Sequence, residues 1–267
     1  MSNFRLYIRM LAISILGQMQ YPGSFIMLSV AQFLVTFIEF VGIWALFERF
    51  GNIEGWTLGQ VAFFYGTVNI AFAIADAMSQ GFDVFGSHFV KTGDFDRVLL
   101  RPRPTILQLA GYQLTIRKVG RLLQGIVVLV IAIHMLGFDW TPDNIVWFVW
   151  TIAGGVAFFF GLFVLQATMS FWTVESLEIA NTMTYGGVQA AQYPLSIYAE
   201  WFRKFLTYFV PLACISYFPV VGILGVEDPL GSSLAFQILS PGIGILFLFA
   251  SFGVWQFGVR HYTSTGS

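Results

Sequence analysis

Stretches of about 20 mostly apolar residues, the length a helix needs to cross a bilayer, recur along this chain and limit what it can fold into. Residues 24–47, 57–79, 109–136, 145–174 and 234–259 each qualify. Glu39 interrupts the first, Asp76 lies near the end of the second, and Arg117, Lys118 and Arg121 open the third. The polar residues that would cover a soluble surface are missing. Only 10% of the chain is charged, against about 25% in a soluble domain. The sequence therefore predicts an all-α integral membrane protein, with residues 1–267 as one transmembrane domain.

Lys and Arg set the expected orientation, because they collect on the cytoplasmic side. Arg5 and Arg9 precede the first span, Lys91, Arg97, Arg101 and Arg103 follow the second, and Arg260 follows the last. The opposite loops carry Glu48, Arg49 and Glu54, then Asp139 and Asp143, then Glu227 and Asp228. Both termini and the Lys91 loop are expected in the cytoplasm. Residues 175–225 admit two arrangements, each giving six spans. In one, residues 205–224 cross, with Arg203 and Lys204 at the cytoplasmic entrance. In the other, residues 179–198 cross, and residues 202–222, broken by Pro211 and Pro219, form a hairpin dipping into the outer leaflet.

At the N-terminus, Arg5 and Arg9 are four apart and share one side of a helix. Apolar residues fill the rest, which suits a helix lying in the interface over residues 1–22, ended by Tyr21-Pro22-Gly23; the alternative is an early start to the first span, with Arg9 snorkelling. Trp44, Trp56, Trp140, Trp147 and Trp201 fall near the expected boundaries, as an aromatic belt would. No cleavable signal sequence is expected, since basic and apolar residues alternate at the start.

Charge is concentrated in the loop 80–108, above all in "KTGDFDRVLLRPRPT", which holds six of the chain's 27 acidic and basic residues. Gly93-Asp94 reads as a helix start, with the Asp94 side chain expected to cap free N–H groups. Asp96 in the first turn and Arg101 in the last complement the helix dipole, and Pro102 stops the helix. The pattern puts Phe95, Val98 and Leu99 on one side, with Asp96, Arg97 and Arg101 elsewhere. Pro102 and Pro104 stiffen the exit. So short a helix does not hold alone in water, so it must dock. It can serve as a rigid receiver of force from a soluble motor. Equally, the segment can be an ordinary loop whose arginines fix topology and touch anionic lipid.

"GDFDRVLLRPRPTILQLAG" resembles the cytoplasmic loop of permease subunits of type-2 ATP-binding-cassette (ABC) exporters. More narrowly, it resembles a bacterial, viologen-exporter-like subfamily whose loop follows Gly-x-x-Asp-x-x-Leu-x-Arg-Pro, matched here at Gly93, Asp96, Leu99, Arg101 and Pro102. "YPLSIYAEWFRKFLTYFVPLACISYFP" resembles the same subfamily, except that Ala199 stands where a proline is expected. The resemblance implies an interfacial N-terminal helix, a coupling helix over Asp94 to Arg101, and an outer re-entrant hairpin within residues 200–225. Arg203 and Lys204 would then lie outside. It also implies export of an amphiphilic or cationic small molecule across a bacterial inner membrane, and a second permease, identical or paralogous. Two ATP-binding subunits would carry the ATP and Mg.

The chain itself has no Gly-x-x-x-x-Gly-Lys-Ser/Thr to cradle phosphates, no His-Glu-x-x-His and no Gly-x-Ser-x-Gly. It is not expected to be an enzyme or to hold a cofactor or metal directly. Cys214 stands alone, His88, His134 and His261 are scattered, and a net charge of −1 disfavours nucleic acid. Two acids remain. Ionisable groups within spans face the protein interior or water, so Glu39 and Asp76 are candidates for a translocation path. The plainer readings are a polar partner such as Gln32 for Glu39, and solvation or a basic neighbour for Asp76. Glu175 and Glu178 are expected to pair with the basic loop. The competing function is an ion-coupled secondary transporter or channel using Glu39 or Asp76; it calls for inverted repeats, and none is evident.

Overall fold

The computed structural model of the chain describes residues 3–115, 118–173 and 177–264. Their regular structure is helical, with one isolated bridge between Ile53 and Trp56 and no strand among them. Helix α1 (Asn3–Gln18) precedes α2 (Pro22–Phe50), which has Pro22 in its first turn and stops at Gly51, φ +71°. Thr57 starts α3 (Leu58–Met78) with a reciprocal cap: the Gln60 N–H donates to Thr57 Oγ1 and the Thr57 N–H to Gln60 Oε1. Short elements follow: α4 (Gln80–Asp83), a π-helical turn (Phe85–Val90), α5 (Asp94–Leu99) and α6 (Thr105–Ala110). Then come α7 (Val119–Leu136), α8 (Pro142–Met169), α9 (Leu177–Ala191), α10 (Glu200–Lys204), α11 (Leu212–Ile215), α12 (Tyr217–Leu224), α13 (Leu234–Leu239) and α14 (Pro241–Arg260). A second π-helical turn, Phe205–Phe209, continues α10.

Among the described residues, five helices, α2, α3, α7, α8 and α14, are long and apolar enough to cross a bilayer. A sixth span is present if Glu200–Phe209 and Leu212–Leu224, bent by 72°, count as one; the bend suits a broken span or a re-entrant loop. Helix α9 has 15 residues, a rise of about 22 Å, and stops before Tyr193-Pro194.

Several boundaries differ from expectation. Residues 109–136 are not one helix: Gly111 ends α6, and α7 begins at Val119. The last stretch splits because Pro241 cannot donate into α13, so α14 restarts there. Pro219 does not break the segment 202–222. It sits in the first turn of α12, where no intrahelical N–H is needed, and the interruptions fall at Val210-Pro211 and Ser216.

Helix α3 is the buried centre, with α7 and α8 packed on it. Lipid tails are as apolar as leucine, so helices associate in membranes through close approach at small residues. A Cβ on Gly66 of α3 would fall 2.9 Å from the backbone nitrogen of Leu129 on α7. Between α8 and α14, a Cβ on Gly154 would meet the Pro241 carbonyl oxygen at 2.4 Å, and one on Gly244 the Gly154 oxygen at 2.2 Å. Backbone atoms cannot swing aside as side chains do. Gly244→Val is expected to separate α8 from α14 and to lower the melting temperature of the purified protein by more than Gly253→Val, whose Cβ meets nothing within 4 Å.

Helix α2 is the outlier, leaning mainly on α7 and exposing Leu34, Val35, Ile38 and Trp44. Helix α1 is tied to the segment between α6 and α7: the Leu114 N–H donates to Ser14 Oγ at 2.9 Å, and Gln18 Nε2 donates to the Leu114 carbonyl. Arg5, Arg9, Ile8, Ile13 and Leu16 of α1 are exposed.

A candidate coupling surface at one end of the bundle

The segment from Ser79 to Thr115 joins α3 to α7 and carries most of the residues singled out by sequence. Its foundation is aromatic. Phe95 of α5 has no exposed surface. Its ring lies 5.0 Å from that of Phe85, 5.6 Å from Phe171, 6.2 Å from Trp255 and 5.0 Å from Tyr262. Edge-to-face pairs of this kind add to the burial itself. Trp255 Nε1 of α14 donates to Thr105 Oγ1 at 2.9 Å, pinning the start of α6. A helix end leaves carbonyls without partners. Gln108 Nε2 adds donors at this end, to Val98 O within the last turn of α5 at 3.0 Å and to Arg103 O beyond it at 2.9 Å. The short helix is thus keyed into the bundle from both its side and its end.

The cap differs from expectation. Gly93, in the left-handed region at φ 73°, takes the cap position and has no side chain to offer, so Asp94 becomes the first helical residue. Its carboxylate turns sideways, accepting from Thr92 Oγ1 at 3.0 Å and pairing with Arg97 at 3.1 Å, with His88 Nε2 at 4.0 Å. The helix ends at Leu99 rather than Arg101. Leu99 does not join Phe95 and Val98 inside: it is 41% exposed and Leu100 84%, beside exposed Arg97, Arg101, Pro102 and Arg103. Asp96 does not join that face. It accepts from Ser264 Oγ at 2.7 Å, so the segment after α14 lies across α5. Burial first, and the Asp96 carboxylate second, raise the pKa of the Tyr262 phenol. Nothing in the local sequence around Asp96 signals a contact 168 residues away.

The two acids of the spans part company. Asp76 is 2% exposed and its carboxylate meets Lys118 Nζ at 2.6 Å, so its neighbour is basic. Glu39 lies exposed on α2, and no hydrogen bond or ion pair reaches it among the described residues, Gln32 included. Glu175 lies outside the described residues, as does Arg117, and of Glu178 only the backbone within α9 is described. Sequence reading missed the surroundings of Arg121. The residue is buried, donates from Nε to Asn69 Oδ1 at 3.1 Å, and sits 4.7 Å from the centre of the Phe72 ring. Among the described residues, no group of His, Cys, Asp and Glu could hold a metal ion.

A family model described as "ABC-2 family transporter protein" matches residues 33–266. The chain belongs to that family. The matched span takes in every helix from the middle of α2 onward, including the keyed α5 and the bent pair, and leaves α1 outside. This ABC-2 permease is a multi-pass membrane protein. No curated protein and no solved structure matches it. As the membrane component of an ABC transporter, such a permease works with an ATP-binding subunit. The surface made by Arg97 and Leu99 of α5 and by Leu100 and Arg101 just after it combines exposed cations and exposed leucines, and α5 packs through Phe95 on Trp255 of α14.

Proposed function

We propose that the chain is one permease of an ATP-driven exporter, and that α5 is the coupling helix on which its motor acts. The observation that carries this is the contrast across α5 and its C-terminal end: one side locked among Phe85, Phe171, Trp255 and Tyr262, the other presenting Arg97, Leu99 and the following Leu100 outward. A push on that outer side reaches α14 through the Phe95 and Trp255 rings, and the Trp255–Thr105 hydrogen bond ties the following α6 to the same helix. The proposed assembly has two permeases, identical or paralogous, and two ATP-binding subunits that hold ATP and Mg. The loop and both termini face the cytoplasm of a bacterial inner membrane, α1 lies in the interface, and the bent pair forms the outer hairpin. The viologen-exporter-like subfamily supplies the cargo class, an amphiphilic or cationic small molecule. Glu39, unpaired on α2, is the acid placed to meet a cation.

The ion-coupled alternative needs a free acid in the bundle. Asp76 is engaged by Lys118, which leaves that reading with Glu39 alone.

Purification of the tagged chain from its native membrane in mild detergent is the test. A P-loop ATPase is expected at one copy per permease, and its loss when residues 94–103 are altered would tie it to α5. A chain that purifies only with copies of itself, with transport driven by an ion gradient, would overturn the proposal.

A further inference from the structure

The limb Glu200–Phe209 before the 72° bend has two unlike faces. On one, Phe202, Phe205 and Phe209 stack in succession, with centroids 6.1 Å and 5.3 Å apart. These rings wall a cavity of about 430 Å³ whose far side is Leu162, Phe247 and Gly186. The limb widens to a π-helical turn over Phe205–Phe209, where the rings meet the cavity, and such turns are frequent at functional sites.

Gly186 is unlike the glycines at the α3–α7 and α8–α14 contacts. A Cβ there would meet nothing within 4 Å. Glycine inside a helix is destabilising relative to alanine, and close packing does not account for this one. The space it leaves belongs to the cavity. A void lined by phenyl and leucyl groups gives water no hydrogen bonds, so in a bilayer it is filled by hydrocarbon.

The other face of the limb is charged. Glu200, Arg203 and Lys204 line a second groove. Lys204 is taken up by Glu200 at 2.7 Å, but no acidic side chain among the described residues forms an ion pair with Arg203. Arg203 directly follows Phe202, so a cation stands about a quarter-turn from the ring ladder.

We infer that this limb binds an anionic phospholipid, with one acyl chain along Phe202, Phe205 and Phe209 and the phosphate at Arg203. A zwitterionic choline head would bring a third cation beside Arg203 and Lys204. An anionic head brings only the charge that Arg203 lacks. Both heads carry the phosphate, so the discrimination lies in the choline, whose like charge beside Arg203 and Lys204 costs roughly tenfold or more in affinity.

Native mass spectrometry of the full chain in mild detergent, titrated with dioleoyl phosphatidylglycerol or dioleoyl phosphatidylcholine, tests the inference. Phosphatidylglycerol is expected to bind roughly tenfold more tightly. Arg203→Gln should bring the two lipids level while the protein keeps its melting temperature. Gly186→Leu, which fills the cavity, should weaken both lipids. Equal binding of the two lipids by the parent protein would overturn the inference, as would a folded Gly186→Leu variant that retains phosphatidylglycerol at the parent level. Should Gly186→Leu instead convert dimers to monomers with lipid binding unchanged, the groove is an interface between copies and the lipid assignment fails. None of these readouts involves ATP, so their failure is separable from failure of the motor reading.

Discussion

Reversing two charges, Arg97→Glu with Arg101→Glu, should cut copurification of the ATP-binding subunit by about a hundredfold while the permease still inserts and melts normally. The size follows from placing like charges against a surface that had met cations, which costs several kcal/mol, at about 1.4 kcal/mol per factor of ten. The fold should survive because nothing inside depends on these side chains. Arg97 is 81% exposed, and its pair with Asp94 is a surface contact of the kind worth about 0–1 kcal/mol. Leu100→Ser probes the same face without charge and should weaken the complex less. Phe95→Ala works from the other side of α5: it empties a ring site that touches four other rings, at about 3–5 kcal/mol. That variant should lose heat stability along with the motor, whereas the double reversal should lose the motor alone. Undiminished binding and transport in the double variant would remove α5 from the coupling role.

What could be read in advance and what could not divide along a physical line. Hydropathy located α2, α3, α7, α8 and α14, since a bilayer demands long apolar runs whatever packs beside them. It overran at residues 109–118 and 234–240, where a continuous apolar average hid Gly111 and Pro241. The short helix was legible from Gly93 and Pro102, because turn and stop residues act locally. Its exact cap was not, because a glycine in the left-handed region displaced Asp94 by one position. Everything that docks α5 came from far along the chain: Trp255 on Thr105, Ser264 on Asp96, Tyr262 on Phe95. Such pairs leave no periodic trace. The family match supports the permease reading that "GDFDRVLLRPRPTILQLAG" first suggested, and the packing around Phe95 supplies what that motif lacked, a physical reason for a rigid loop.

The pair Asp76–Lys118 should show the second large effect, and its asymmetry is informative. Thr115 sets the geometry: its N–H donates to Ala77 O at 3.1 Å and its Oγ1 to Gln80 Oε1 at 2.9 Å, which folds the start of α7 over the end of α3. Lys118 then lands on a carboxylate that is 2% exposed. Lys118→Met strips the counter-charge from Asp76 and should cost about 3–5 kcal/mol, because a buried carboxylate without a partner is left behind. Asp76→Asn should cost less, since the lysine side chain, 17% exposed, is long enough to carry its ammonium toward water. The double variant should recover most of the loss, as replacement of a whole buried pair often does. Melting curves of the three proteins decide it: a double variant no more stable than Lys118→Met would mean that the pair is not what joins these helices. Transport adds a separate reading. If Asp76 serves only to close the joint between α3 and α7, the double variant should move cargo nearly as the parent does. If it carries ions, restoring stability will not restore transport.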